Sequence, residues 1–255
     1  MKDHLNELTV LLTAAEEDAE EPIRLLEGRG ARVLHLPLEQ YHSQQPNQQE
    51  TLNITAYDNI VYGYKRNALY LMEYIRENGL MDQVRQCVNL ARDKATANYL
   101  EEQGIPAIYP GHNAKPIDLI EFMMRLQRLG PTLYPCGSHQ KEEMPGLLQE
   151  LDIEVKELVC YDRSGPEAED LDTYRDTLNE YHPNAILFHS RSSVNRVLAA
   201  FPDLREREDI IMIAGNAGAA QKMKGEDLPV STLGNGNWHG MVEALAAITH
   251  DEQEG

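Results

Sequence analysis

The feature that most constrains this chain is an order of elements that occurs twice. Short apolar runs alternate with amphipathic stretches, and sliding the chain by roughly 122 residues superposes them. Val10-Leu11-Leu12 with its helix and the run Ala31 to Pro37 overlay Leu133-Tyr134 with its helix and Glu154 to Cys160. Asn59-Ile60-Val61-Tyr62 with Asn67-Ala68 overlays Ala185-Ile186-Leu187-Phe188 with Ser192-Ser193. Ala95 to Gly104 overlays Asn216 to Gly225, and Tyr109-Pro110-Gly111 overlays Thr232-Leu233-Gly234. Identity between the halves is low, so the match is one of architecture. A common order at nearly one offset points to duplication rather than to generic alternation.

Strands alternating with helices of this length argue for parallel sheets covered on both faces. The expected fold is α/β: two similar Rossmann-like or flavodoxin-like parallel-sheet domains joined by a two-stranded hinge. Two segments break the alternation and read as crossings, the Gln/Pro/Asn-rich stretch Gln44 to Gln49 and the acidic, Gly/Pro-containing stretch Asp162 to Asp172. Residues 1–37 with 166–255 then form a discontinuous first domain and residues 43–158 the second. The hinge strands fall at about 36–42 and 157–165, and paired linkers of this kind allow the lobes to swing around a flexible cleft. Further expectations are a helix near Pro22 running to Gly28, and one over Ile117 to Leu129 stopped by Gly130.

Composition removes several functional classes. The formal net charge of −19, from 42 acidic and 23 basic residues, is a poor footprint for nucleic-acid or anionic-membrane binding. No apolar run approaches the roughly 20 residues that span a bilayer. Leu8 to Ala15 is apolar but short and is followed at once by Glu16-Glu17-Asp18, which reads as a first strand rather than a secretory signal. Cys87, Cys136 and Cys160 are far apart in apolar runs, as buried thiols of a cytoplasmic protein would be. The nine histidines form no ligand spacing, so neither a metal nor a cofactor is expected.

In open parallel sheets ligands bind beyond the carboxyl ends of the strands, where helix N-termini present free N–H groups. The residues that follow each strand are therefore the place to look. Gly63-Tyr64-Lys65-Arg66-Asn67 follows one, Arg92-Asp93-Lys94-Ala95-Thr96 a second, and Cys136-Gly137-Ser138-His139-Gln140-Lys141 a third. His189-Ser190-Arg191-Ser192-Ser193, Ala214-Gly215-Asn216-Ala217-Gly218 and Gly234-Asn235-Gly236-Asn237 follow the others. Small, hydroxyl, amide and basic residues gather here although the protein as a whole is acidic, which suits a cleft for a polyanion. Taken singly, Ser, Asn and Gly are also ordinary helix caps. Caps do not explain Lys65, Arg66, Arg92, Lys94, Lys141 and Arg191 along one edge. There is no Walker motif, no nucleophile elbow and no full dinucleotide fingerprint.

Taken together, these stretches resemble the uroporphyrinogen-III synthase family. Phe188-His189-Ser190-Arg191-Ser192-Ser193-Val194 fits that family's second FTS-type turn with His in place of Thr, and Asn67-Ala68 fits the first. Ala95-Thr96-Ala97 with Gly104 fits its first TA segment, Tyr161 its hinge tyrosine, and Asn237 to Leu245 its closing helix. The resemblance implies a cytoplasmic, monomeric, cofactor-free lyase of haem biosynthesis. It would close hydroxymethylbilane, a linear tetrapyrrole carrying many carboxylates, with inversion of ring D and loss of water. Tyr161 is then the catalytic candidate, assisting departure of the hydroxyl. Thr13, Lys65, Asn67, Thr96, Ser138, Ser190, Arg191, Ser192, Asn216 and Asn237 are candidates to bind the substrate.

Two positions depart from the family pattern. The second TT-A segment becomes Asn216-Ala217-Gly218, and the Thr-Arg after the first strand becomes Thr13-Ala14. They motivate a second reading, a non-catalytic ligand-binding or regulatory module on the same scaffold. A third, a two-lobed periplasmic-type solute binder, lacks the signal segment it would need.

Overall fold

Val10, Leu11 and Leu12 are buried in succession in β1 (Thr9–Leu12), the signature of a parallel strand covered on both faces. This computed structural model describes residues 5–44, 52–111, 114–138, 142–207 and 209–254. After β1 come α1 (Glu16–Glu27), β2 (Arg32–His35) and β3 (Gln40–Ser43). α1 starts earlier than the sequence suggested. Glu16, Glu17 and Asp18 fill its first turn, where acidic side chains suit the exposed N–H groups, and Pro22 lies buried inside it. β4 (Asn59–Tyr62), α2 (Lys65–Glu77), α3 (Met81–Gln86), β5 (Val88–Ala91), α4 (Lys94–Glu102), β6 (Ala107–Ile108) and α5 (Pro116–Arg125) follow. α5 ends short of Gly130, since Gln127 takes a φ of 55° that no α-helix continues through.

β7 (Thr132–Gly137), α6 (Glu143–Glu150) and β8 (Val155–Ser164) come next. Then follow α7 (Ala168–Tyr181), β9 (Ala185–Phe188), α8 (Arg191–Ala200), β10 (Ile211–Ala214), α9 (Ala217–Gly225), β11 (Thr232–Leu233) and α10 (Trp238–Glu254). The stretch Asp162 to Asp172, expected as the return crossing, holds the boundary between the two units and consists of the end of β8 and the start of α7. Of the stretch Gln44 to Gln49, only Gln44 lies among the described residues.

The chain divides into two units, Met1–Gln40 with Ser164–Gly255 and Tyr41–Arg163. In the first, a sheet runs β11-β10-β9-β1-β2 with every neighbouring pair parallel. In the second, the order is β6-β5-β4-β7-β8-β3, and the pairs from β6 to β8 are parallel. Leave β3 aside and the two sheets have one strand order, that of the doubly wound flavodoxin type. Chain order is permuted, because the first unit receives β1 and β2 before the excursion through the second, and β9 to β11 after it.

One constant separation matches Thr9 with Thr132, Arg32 with Val155 and Val88 with Ile211 as first residues of their strands. The same separation matches the helix caps Asp93 and Asn216. The overlay of Ala95 on Asn216 is therefore two residues out of register, although the elements are the right ones.

Each unit has its own buried core on the faces of its sheet. Leu11, Ile186, Phe188, Met212 and helix residues such as Val194 and Val197 fill one face of the first sheet; Val10, Leu187, Ile213 and Leu245 fill the other. Ile60, Tyr62, Leu71 and Ile75 pack on one face of the second sheet, with Val61, Leu90, Tyr134 and Leu148 on the opposite one. The three cysteines are buried within these cores and unbridged. Burial, then the charges of Glu157 and Glu142, pushes the Cys136 thiol up to about 12, which favours the protonated thiol near neutrality. Among the described residues no helix is long and apolar enough to cross a membrane.

Candidate functional site

In sheets of this order the strand connections reverse direction at one point, and a crevice opens there beyond the carboxyl ends of two neighbouring strands. In the second unit those strands are β7 and β4. β4 ends at Tyr62 and leads through Gly63 and Tyr64 into α2; β7 runs to Gly137 and leads toward Glu142 and α6. A recess of about 140 Å³ opens here, lined by Gly63, Tyr64, Arg92, Pro116, Tyr134 and Glu142 among others. The Arg92 guanidinium lies 4.3 Å from the centre of the Tyr64 ring.

A hydrogen-bonded chain of buried polar groups runs beneath this crevice. The Tyr161 hydroxyl donates to Asn67 Oδ1 at 3.0 Å. Asn67 Nδ2 donates to the two carboxylate oxygens of Glu142 at 3.3 and 3.4 Å, and the Tyr134 hydroxyl also donates to Glu142. Asn67 is fully buried and Tyr161 is 5% exposed. Gly63 and Gly137 make the approach possible. A Cβ on Gly137 would stand 2.5 Å from the Tyr161 ring, and one on Gly63 would collide with the Tyr134 hydroxyl. Around Tyr161, the Tyr70 ring packs at 5.0 Å and the Tyr41 ring edge-on at 5.8 Å. The Arg66 guanidinium sits 3.4 Å from the Tyr41 centroid and 6.0 Å from that of Tyr161.

Burial shifts both kinds of acid here. It pushes the Tyr161 phenol well above the ordinary tyrosine value; the Glu142 charge adds to this and the Arg66 charge opposes it. Burial also raises the Glu142 carboxyl, against hydrogen bonds from Tyr134 and Asn67 and the charge of Arg92, which favour its ionised form. Tyr161 consequently keeps its proton at neutral pH.

The corresponding strands of the first unit are β1 and β9. Ser190 caps α8: its Oγ accepts from Ser193 N at 3.1 Å, and the Ser193 hydroxyl donates back to the Ser190 carbonyl at 2.7 Å. Ser192 Oγ lies 3.1 Å from Ser190 Oγ. Arg191 is exposed and donates to Gln221 Oε1 at 3.2 Å. Asn216 caps α9, accepting from Ala219 N at 2.9 Å and donating to the His189 carbonyl at 3.1 Å. Asn237 is exposed and accepts from Gly240 N at 2.8 Å. Behind them Glu39, 3% exposed, pairs with Arg196 at 2.9 Å and with His189 Nε2 at 3.8 Å, and the His189 ring stacks on Trp238 at 5.2 Å.

The residues singled out in the sequence thus fall into three situations. Tyr161 and Asn67 are joined in one network. Lys65 and Ser138 are exposed at the second crevice, Lys65 5.8 Å from the Tyr99 ring and Ser138 donating to Asp162 at 2.6 Å. Thr13 and Thr96 are buried, and the Thr96 hydroxyl has no hydrogen-bond partner. His139 and Lys141 lie outside the described residues. Sequence reasoning missed Glu142 and Tyr134. The one available signal was two polar groups flanking a buried strand end, which by itself does not single out one of 42 acidic residues.

Two sheets that share one order of parallel strands, the second with a polar recess at its reversal point, define a duplicated α/β protein. The chain belongs to the uroporphyrinogen-III synthase family, a family of cyclising lyases of haem biosynthesis: the family model described as uroporphyrinogen-III synthase HemD matches residues 20–232. Its fold is similar to that of uroporphyrinogen-III synthetase from Helicobacter pylori, with a TM-score of 0.67 and 14% identity over 97% of this chain and 100% of that one. It is likewise similar to a mutant uroporphyrinogen III synthase from the extremely thermophilic bacterium Thermus thermophilus, with a TM-score of 0.57 and 16% identity over 97% and 100% of the two chains. No curated protein matches the sequence.

Proposed function

We propose that the chain closes hydroxymethylbilane by using Tyr161 as the proton donor to the departing hydroxyl, with strand-end residues holding the substrate's carboxylates. Electrons from the pyrrole nitrogen expel the hydroxymethyl oxygen, the C–O bond breaks, and the phenol proton leaves with that oxygen as water. Ring D attacks the resulting electrophile through its already bridged α-carbon. The older bridge bond at that carbon then breaks and re-forms at the free α-carbon of ring D, which inverts the ring, and the proton shed from that second carbon restores the phenol. General acid help of this kind contributes about 10²–10⁴-fold, and holding a flexible chain in one productive pose can contribute more.

The observation that supports this reading best is the state of Tyr161. It is a buried phenol whose hydroxyl already donates a hydrogen bond, in a chain whose family performs this closure. Handing over the proton requires the hydroxyl to leave Asn67, at a cost of about 1 kcal/mol that a bond to the substrate offsets. Ser190, Arg191, Ser192, Asn216 and Asn237 in one unit, with Lys65 and Ser138 in the other, offer donors that suit carboxylates. Thr13, Asn67 and Thr96 fit a supporting role under the crevices better, because all three are buried. The division into lobes 1–37 plus 166–255 and 43–158, swinging on hinge strands near 36–42 and 157–165, belongs to the same proposal, as do a monomeric state and a cytoplasmic location. Replacing Tyr161 by Phe tests the assignment: turnover of bilane should fall while the fold persists, and undiminished turnover would remove Tyr161 from the mechanism.

A second reading, ligand binding without catalysis, draws on Ala14, which is buried against Leu12 and Ala19 where the family pattern has a cation. Retained binding of bilane with no change in the product formed would favour it.

A further inference from the structure

We propose that Glu142 is a positioning residue for the cyclisation: its carboxylate holds the Asn67 amide so that the amide oxygen is aimed at the Tyr161 hydroxyl. The inference rests on the reading of Tyr161 as proton donor and assigns that role its support.

An asparagine side chain can present either its oxygen or its NH2 group to a given neighbour, and the two ends differ little in size. Here the choice is forced. Glu142 is an acceptor on both oxygens and already receives the Tyr134 hydroxyl, so only the NH2 end of Asn67 can face it at 3.3 and 3.4 Å. Turning the amide around would set oxygen against carboxylate in a buried place, at a cost of about 1–3 kcal/mol for the group left unpaired. With the NH2 end fixed, Asn67 Oδ1 must face Tyr161, 3.0 Å away, and the phenol must donate to it. A phenolate there would meet that same oxygen with the Glu142 charge behind it, so the arrangement holds the proton on the phenol until a better acceptor arrives.

Two further observations separate this role from ordinary helix capping. Glu142 occupies the cap position of α6, yet its side chain makes no cap hydrogen bond; its bonds go across the crevice to Asn67 and Tyr134. Its surroundings are also shaped for it. Gly63 leaves the space that a Cβ would take 2.8 Å from the carboxylate. Glu142 is half-buried at the recess, and its hydrogen bonds run by way of Asn67 to the phenol that the reaction needs.

The test uses the full-length protein with tyrosine labelled at Cζ, whose carbon resonance reports what the phenol oxygen donates to or accepts from. The Tyr161 signal is assigned by its loss in Tyr161→Phe. Without substrate, Glu142→Gln and Glu142→Ala should each shift that signal. Glu142→Gln should also lower kcat roughly tenfold with KM changed less than about twofold, because the interaction matters in the transition state rather than in binding. The double variant Glu142→Gln/Tyr161→Phe should be no slower than Tyr161→Phe alone. An unmoved Tyr161 signal in both Glu142 variants, full kcat in Glu142→Gln, or losses that multiply in the double variant would overturn the proposal while leaving Tyr161 as donor if Tyr161→Phe is slow. A fast Tyr161→Phe enzyme would instead overturn the donor reading itself.

Discussion

At the end of β9, α8 begins on Ser190, and past β10, α9 begins on Asn216; both short side chains cap their own helix backbone. At the ends of β7 and β4, α6 and α2 begin instead on the larger Glu142 and Tyr64, whose side chains make no cap hydrogen bond. Tyr64, which makes no cap hydrogen bond, stands where Ser190 makes a reciprocal one. The first lip offers short donors and the second a hydrogen-bonded network around one phenol. Under the function proposed above, the duplicated scaffold divides its work: one lip suits binding and the other suits placing a proton. Fold alone does not show this, because the strand orders are the same.

The comparison can be broken most forcefully at Tyr161. Tyr161→Phe should lower kcat by about a hundredfold or more, and should cost about 1–3 kcal/mol of stability without unfolding the protein, since it leaves the buried Asn67 amide oxygen without its donor. Overfilling comes next. Gly137→Ala drives a Cβ to 2.5 Å from the Tyr161 ring and should cost about 1–3 kcal/mol of stability together with turnover, read by denaturant titration and by assay. On the first lip, Ser190→Ala removes a cap and should cost about 1 kcal/mol in the same titration, with weaker binding of bilane and kcat largely kept. If Ser190→Ala lowers kcat as much as Tyr161→Phe does, the division of labour is wrong.

The smallest effect is a pH dependence. Burial raises the Glu142 carboxyl in the folded protein, so the fold binds that proton more tightly than the unfolded chain does. Its contribution to stability is therefore most favourable below the unfolded carboxylate range and is lost as pH rises through the raised folded value. Glu142→Gln lacks this loss. The variant's melting temperature should gain on that of the natural sequence as pH rises above the ordinary carboxylate value of about 4, and a pH-independent difference would show that the carboxyl is not raised.

Much of the architecture was legible because its signals are periodic. Runs such as Asn59-Ile60-Val61-Tyr62 and Ala185-Ile186-Leu187-Phe188 are bounded by turn residues, and their order repeats. Other elements carried weaker patterns. β3, Gln40-Tyr41-His42-Ser43, overlaps the hinge strand expected at about 36–42, but its bounds are set by pairing rather than by an apolar pattern. α7 has no buried residue, and its stripe of Leu171, Tyr174 and Leu178 is thin beneath an acidic surface. At the site, Tyr161 and the strand-end residues could be found because chain order puts them next to strand ends. The partnership of Glu142, Asn67 and Tyr161 could not, since it joins three segments that only the sheet brings together, and it turns Asn67 inward where the sequence suggested a ligand. The two-residue error in overlaying α4 on α9 has the same origin: Asp93 and Asn216 share a role as caps but not a residue type.

The most direct test is the isomer ratio of the cyclised product. Incubated with hydroxymethylbilane, the protein should give predominantly the type III porphyrinogen, in which ring D is inverted. Product of type I alone, in the proportion that buffer gives by itself, would contradict the account.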